Sequence, residues 1–389
     1  MGLHFNFFNV LILTGCVQGI ILGFLLFVTP TRSRSHFFLG LLLLTYSLDT
    51  LNAVFFDTTL SMRIPALLIS PFSLILAIGP ALYLHTRFTL RPEAVFRRID
   101  LLHFLPATME FLWYASISLF FWGKPEAIRV FYHKYESWYS LPEQLAGILS
   151  VFVYLILTLR LLKAHKQRLK NVFSAIEGLT YKGLSMLTVC LGIGWLIWLV
   201  LITIDVVYFS FSLNEYVYYP LYIVMSATIY AIGYSGYFRK VIVIEYPPGE
   251  PHPATPEPTS ELKKIILDLQ LLMQRDRLYL DPVLRLKTVA ERIPCTPQKL
   301  SAALNGVLKK NFYDFVNEYR VLEVQKKLAD PVYRQWTLTA VAYECGFNSK
   351  STYNEIFKKM TGKTPKEYRN SAKKDVREMP PDVSAVANT

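Results

Sequence analysis

The stretch from Thr337 to Arg369, TLTAVAYECGFNSKSTYNEIFKKMTGKTPKEYR, decides the reading of the C-terminal part of the chain. Thr337 offers an N-cap hydroxyl to a helix over Leu338 to Cys345, with Val341 and Ala342 turned inward. Gly346 suits the left-handed position after a helix, because only glycine takes positive φ without strain. Phe347 follows as an anchor for the turn. Ser349 caps a second helix, Lys350 to about Thr361, whose Tyr353, Ile356 and Phe357 recur on one face. Thr364-Pro365-Lys366-Glu367 is a capping box that opens the last helix. A helix, a tight turn and a second capped helix make a helix-turn-helix.

Working upstream, the same arrangement occurs once more. Ser260 is expected to cap a helix over 261–275, with Leu262, Ile265, Ile266, Leu269, Leu272 and Met273 on one face. Leu286 to Ile293 comes next, with Leu286, Val289, Ala290 and Ile293 inward. After a break at Pro294-Cys295, Thr296 supplies a cap and Pro297 fits the first helical position. That helix runs to about Leu308 and buries Leu300 and Leu304. A longer helix follows, about Tyr313 to Leu328, and carries Phe315, Val316, Tyr319, Leu322 and Leu328.

Residues 280–370 resemble the AraC/XylS-type DNA-binding domain. The resemblance rests on the ordered series Ala342-Tyr343-Glu344-Cys345-Gly346-Phe347-Asn348-Ser349, Phe357-Lys358-Lys359, Gly362-Lys363-Thr364-Pro365 and Tyr368-Arg369. The first unit matches at Val289-Ala290, Leu300-Ser301, Asn305, Asn311-Phe312 and Asn317-Glu318-Tyr319-Arg320. It departs at Pro294, where many members carry Gly or Asn. The resemblance implies two units entering successive major grooves of double-stranded DNA, about 34 Å apart. Base-facing positions would then be Gln298, Lys299, Ser301 and Ala302 in the first recognition helix. In the second they would be Lys350, Ser351, Thr352, Asn354 and Glu355. Gln and Asn pair with adenine, Lys with guanine, and Glu accepts from cytosine. The short side chains of the first helix leave more of the discrimination to the second. Lys309, Lys310, Lys358, Lys359 and Arg369 are expected on phosphates, which position without specifying sequence.

The N-terminal part reads differently. The chain of 389 residues is 52 % hydrophobic, yet its net charge is +12. Residues 239–389 hold 25 of the 41 Lys and Arg. A greasy front and a basic back suggest two solvents, and the positive excess favours a polyanionic partner. Seven apolar stretches, roughly 5–28, 37–56, 65–85, 100–121, 142–162, 184–208 and 218–237, approach the roughly 20 helical residues that span a bilayer. Lys and Arg concentrate in the alternate loops 29–36, 86–99 and 163–183, which places these loops and the C-terminus inside and the N-terminus outside. Met1 to Phe8 carries no Lys or Arg, so a cleaved signal peptide is not expected. The combined architecture resembles bacterial membrane proteins in which about seven N-terminal helices precede such a DNA-binding domain.

The expected organisation is all-α. A seven-helix transmembrane bundle occupies 1–240, a proline-rich linker 241–259, the DNA-binding domain 260–370 and a structureless tail 371–389. Alternate prolines between Pro247 and Pro258 hold an extended spacer. Asp49, Glu110 and Asp205 lie within the apolar stretches, with His85 and His103 near their ends. Such groups form either a site for a small ligand or proton or a set of helix-to-helix hydrogen bonds, with Gln18 and Asn52 as partners. Gly15 to Gly19 and Gly192-x-Gly194 suit close helix packing. Trp138, Tyr139, Tyr216, Tyr218 and Tyr219 suit the outer interface belt. Cys16, Cys190, Cys295 and Cys345 are isolated, with no spacing for a metal. No catalytic constellation and no cofactor motif emerges. The expectation is a regulator in the bacterial inner membrane, with its DNA-binding domain in the cytoplasm and pairing of two copies through the membrane helices. The competing readings are a transporter or membrane enzyme with a regulatory DNA-binding part, and a regulator released by proteolysis.

Overall fold

The computed structural model describes residues 5–29, 33–71, 74–176, 181–209, 215–238 and 259–378. Every named element among them is helical, so the all-α class holds. The chain divides into two compact units. One comprises Met1–Ala164 and Thr180–Val243; the other comprises His165–Leu179 and Ile244–Thr389. The proline-rich linker lies outside the described residues, apart from Thr259.

The first unit is built from α1 (Phe7–Val28), α2 (Arg34–Asp57), the single turn α3 (Leu60–Arg63), α4 (Ile75–Leu90), α5 (Leu105–Phe120), most of α6 (Pro125–Val172), α7 (Tyr181–Ile204) and α8 (Tyr219–Phe238). Four described helical segments are long and apolar enough to cross a membrane: Phe7–Val28, Arg34–Asp57, Leu141–Val172 and Gly183–Phe209. Tyr219–Gly233 is apolar but shorter. The third and fourth expected spans are not single long helices. Pro65–Ile69 and Arg98–Phe104 are 3₁₀ segments, and α4 and α5 have 16 residues each. Sixteen residues rise only about 24 Å. Prolines explain the breaks, since Pro71 disfavours helix at Ser70 and Pro106 sits in the first turn of α5.

Glycines let α1 approach its neighbours. A Cβ at Gly15 would fall 1.8 Å from Ser226 Oγ, and one at Gly19 2.1 Å from Ser47 Oγ. Gly194 meets nothing within 4 Å, so the Gly192-x-Gly194 pair is not such a contact. The core gathers Leu42, Leu43, Ile78, Leu155, Trp195 and Ile229. Large apolar side chains also cover the outside: Phe7, Phe24, Trp122, Leu149, Met186 and Val200 are all exposed. Tyr218 and Tyr219 are buried rather than set in an outer belt, because their hydroxyls serve Asp205 and Asp57 at 2.9 and 2.7 Å.

The second unit contains α9 (Ser260–Asp276), α10 (Leu286–Ala290), α11 (Pro297–Val307), α12 (Phe312–Ala329), α13 (Leu338–Glu344), α14 (Lys350–Thr361) and α15 (Pro365–Glu378). Thr259, not Ser260, caps α9 by accepting from the Leu262 amide. Thr296, Asn311, Thr337 and Ser349 cap the next long helices in the same way. Helix α15 runs to Glu378, past the expected end of the domain at residue 370. Its start is fixed by the Thr364 and Glu367 capping box, and good helix formers such as Ala372, Lys373 and Lys374 carry it on. Residues 379–389 of the expected tail lie outside the described residues.

Helix α12 is shared by both halves of this unit. Phe312, Phe315 and Val316 join the core of the first half. The buried stripe continues through Asn317, Arg320, Val321, Val324 and Leu328, whereas Leu322 is exposed. Arg320 is 1 % exposed. Its guanidinium donates to the carbonyls of Tyr279 (2.8 Å) and Asp281 (2.7 Å), to Asn317 Oδ1 (3.3 Å) and to Ser174 at its carbonyl and Oγ (both 3.1 Å). Arg320 also lies 5.9 Å from the Phe347 ring centroid. Gly346, at φ +86°, turns the chain beside this cluster.

A Cβ at Gly346 would sit 2.4 Å from the Tyr279 carbonyl oxygen, while Gly362, at φ +73°, faces open space. Gly346→Ala therefore meets both backbone strain and a clash, and Gly362→Ala strain alone. Thermal unfolding is expected to show a loss of about 2–4 kcal/mol for Gly346→Ala and about 1 kcal/mol for Gly362→Ala. Equal losses would contradict the close approach of the turn to Tyr279.

Candidate nucleic-acid interface

The interface is built from two short helices, each packed behind a longer exposed one. In the second pair, α13 buries Val341 and Ala342, and Phe347 stands 5.3 Å from Tyr353, ring to ring. Tyr353, Ile356 and Phe357 of α14 complete this core. Their period fixes what remains outward: Lys350, Ser351, Asn354 and Glu355 are exposed, and Thr352 is half-buried. A groove of about 450 Å³ runs beside this face, lined by Lys350, Asn354, Glu355, Lys358 and Lys366. The face carries amide, ammonium and carboxylate groups, the chemistry that reads base edges.

The first pair differs. α10 and α11 bury Val289, Ala290, Leu300, Ala303 and Leu304. Gln298 and Lys299 are exposed, but Ser301 and Ala302 are only half-exposed. Lys299 Nζ is 2.6 Å from Glu261 Oε1, and Asn305 donates to the Ser301 carbonyl at 2.9 Å. The turn at Pro294 is tight: the Cys295 amide donates to the Ile293 carbonyl at 2.6 Å. This helix has fewer free polar groups to offer a groove than α14.

The lysines expected on phosphates fall into two sets. Lys309, at φ +55°, and Lys358 are exposed. Lys310 pairs with Glu318 at 2.6 Å and Lys359 with Asp314 at 3.6 Å. Both pairs are solvent-accessible, so a phosphate can exchange for the carboxylate at little cost. Arg369 is half-buried and donates to the Trp336 carbonyl at 3.0 Å, which ties α15 to the approach of α13. Glu367 is held below the usual carboxylate range by its hydrogen bonds to Thr364, the backbone amide first.

The sequence gives Asn317 and Arg320 only as carriers of the resemblance, without their buried role, and passes over Ser174. An arginine and an asparagine inside an otherwise apolar helical stripe were the available signal. Of the acids in the first unit, Glu110 is buried and accepts from the Leu76 amide at 3.3 Å, in the first turn of α4. It thus serves one of the amides that a helix start leaves unpaired. Its other oxygen is buried without a hydrogen bond. Asp205 is buried against Tyr218, and Asp49 is half-buried on α2. His85 contacts the Ser35 carbonyl at 3.0 Å, and His103 contacts the Tyr154 hydroxyl at 2.8 Å. Among the described residues, no group of three His, Cys, Asp or Glu could hold a metal ion.

Burial pushes the Cys345 thiol up to about 12. A maleimide at pH 8 is expected to leave Cys345 unlabelled in the native chain and to label it after denaturation, as read by peptide mass. Rapid native labelling would contradict the packing of α13 against α14.

In comparison with protein families, a profile described as a helix-turn-helix domain matches residues 289–371. That range takes in α11 and α14 together with their turns. No curated protein and no solved structure matches. Residues 289–371 of this chain therefore match a helix-turn-helix domain, which supports a DNA-binding role for its C-terminal part.

Proposed function

We propose that this chain is a membrane-anchored, sequence-specific transcription regulator. Its apolar helices hold it in the bacterial inner membrane, and the helix-turn-helix domain reads DNA from the cytoplasmic side. The observation that carries this reading is the outward face of α14, with Lys350, Asn354 and Glu355 exposed on a helix that buries its other face. The family match across both helix pairs supports it. The apolar exterior of the first unit and the four long apolar segments support the anchor.

Sequence discrimination falls mainly to α14, through Lys350, Ser351, Thr352, Asn354 and Glu355. Gln298 and Lys299 on α11 add to it, with Ser301 and Ala302 in close apolar or hydroxyl contact. Lys309, Lys310, Lys358 and Lys359 carry phosphates. Arg369 also orders α15. Asp49, Glu110 and Asp205 are the candidate polar positions through which a small ligand or a proton acts on the apolar helices. Any such signal must favour one of two states by a difference in free energy. Two copies paired in the membrane would raise the effective concentration of the second domain at a double site.

The test uses the full chain in lipid nanodiscs and DNA fragments selected from a bacterial genome. A specific complex is expected whose affinity falls steeply as salt rises. Asn354→Ala should cost about 1–3 kcal/mol at the selected site and relax specificity at one base pair. Lys358→Ala should weaken all sequences alike and reduce the salt slope by about one. Selection that enriches no sequence, with wild-type protein folded, would sink the reading.

A further inference from the structure

The second unit includes a piece of chain far from it in sequence. Residues His165–Leu179 group with the DNA-binding domain rather than with the apolar helices on either side of them. The contact is specific. Ser174 is fully buried, and Ile176 is 3 % exposed. The Ser174 amide and hydroxyl both donate to the Leu284 carbonyl, at 3.2 and 2.8 Å. Its own carbonyl accepts from Asn317 Nδ2 at 3.2 Å and from Arg320 at 3.1 Å. One residue earlier, Phe173 pairs with Arg285 in an antiparallel β-bridge, and the Arg285 guanidinium lies 5.5 Å from the Phe173 ring centroid. Lys170 sits 5.2 Å from the Tyr313 ring centroid.

The place it occupies matters. Leu284 and Arg285 lead directly into α10, the first helix of the first helix-turn-helix pair. Asn317 and Arg320 belong to α12, the helix shared with the second pair. Without Ser174, Arg320 would keep its bonds to Tyr279, Asp281 and Asn317 but lose two acceptors for buried N–H groups. A buried charged donor without an acceptor is costly, so the empty slot is a poorer state of the domain. The same segment is covalently continuous with α6 and leads on to α7, which contribute two of the long apolar segments.

We propose that residues 165–176 are a built-in ligand of the DNA-binding domain. Ser174 fills the slot formed by Leu284, Asn317 and Arg320, and its presence there keeps the first helix-turn-helix pair competent for DNA. A change in the apolar helices that withdraws the segment weakens DNA binding. This regulatory half rests on the DNA-binding reading above; the docking does not. The segment is a second link to the domain beside the proline-rich linker, so cutting that linker alone does not free the domain.

The experiment uses the full chain in nanodiscs, with Cys190→Ser and Cys295→Ser to remove the less buried thiols and a protease site placed within 250–256. In this background, Phe173→Cys together with Arg285→Cys puts two thiols at a β-bridge, within disulfide reach. After mild oxidation and cleavage, a non-reducing gel is expected to show the two fragments joined. Each single-cysteine control should show them apart. Absence of the joined species overturns the docking, whether or not the chain binds DNA. For the second half, the oxidised double variant is expected to bind the selected DNA like wild type. Ser174→Trp, which cannot enter the slot, should bind at least about tenfold more weakly, and Ser174→Ala, which keeps both carbonyl contacts, within about threefold. Equal affinity of Ser174→Trp and wild type, or loss of binding in the oxidised form, overturns the regulatory role. A failure of wild type itself to bind DNA falls on the DNA-binding reading and leaves the cross-link to decide the docking. Because the oxidised form needs no bulky residue in the core, misfolding of Ser174→Trp does not rescue the claim.

Discussion

The guanidinium of Arg320 sets the constraint around which the DNA-binding domain is arranged. Placing a charge away from water costs several kcal/mol unless hydrogen bonds replace its hydration. Here its N–H groups all find oxygen acceptors, three of them main-chain carbonyls. Those acceptors come from segments far apart in sequence: Ser174, Tyr279 to Asp281 and Asn317. None can shift without stranding a donor. The Phe347 ring closes over the same group, and Gly346 lets the chain come close enough for it to do so. The turn of the second helix-turn-helix pair is thereby set against the chain leading to the first. An ion pair, Arg277 with Glu323, and the stacking of Tyr279 on Tyr319 reinforce that junction.

The two outward-facing helices offer unequal surfaces. α14 buries a compact aromatic face and leaves a continuous polar one. α11 spends part of its polar surface internally, in the Lys299–Glu261 pair and the Asn305–Ser301 bond. Lys309 and Lys310 follow α11, and Lys358 and Lys359 lie on α14.

In the apolar unit, burial is organised around small residues and a few buried polar pairs. Gly15 and Gly19 bring α1 against α8 and α2. Ser35, His85 and Thr89 share a hydrogen-bonded cluster, and Asp100 is neutralised by Arg87 at 2.7 Å. These cross-helix contacts tie α2, α4 and the 3₁₀ segment Arg98–Phe104 together.

Much of this protein was legible along the chain. The all-α class, the caps at Thr296, Thr337 and Ser349, the capping box at Thr364 and the glycine turn at Gly346 are local features, and local hydrogen-bond and φ rules decide them. The outward face of α14 followed from the period of Tyr353, Ile356 and Phe357. Other matters belonged to the tertiary structure alone. Whether Leu322 is buried depends on which partners surround α12, not on its period. Lys299 and Lys310 read as free cations until Glu261 and Glu318 are brought beside them. The split of the third and fourth apolar stretches turned on prolines whose effect varies with their neighbours. The slot for Ser174 could not be read at all, because its walls are 110 to 146 residues away in sequence and no periodicity reports a contact between segments that distant.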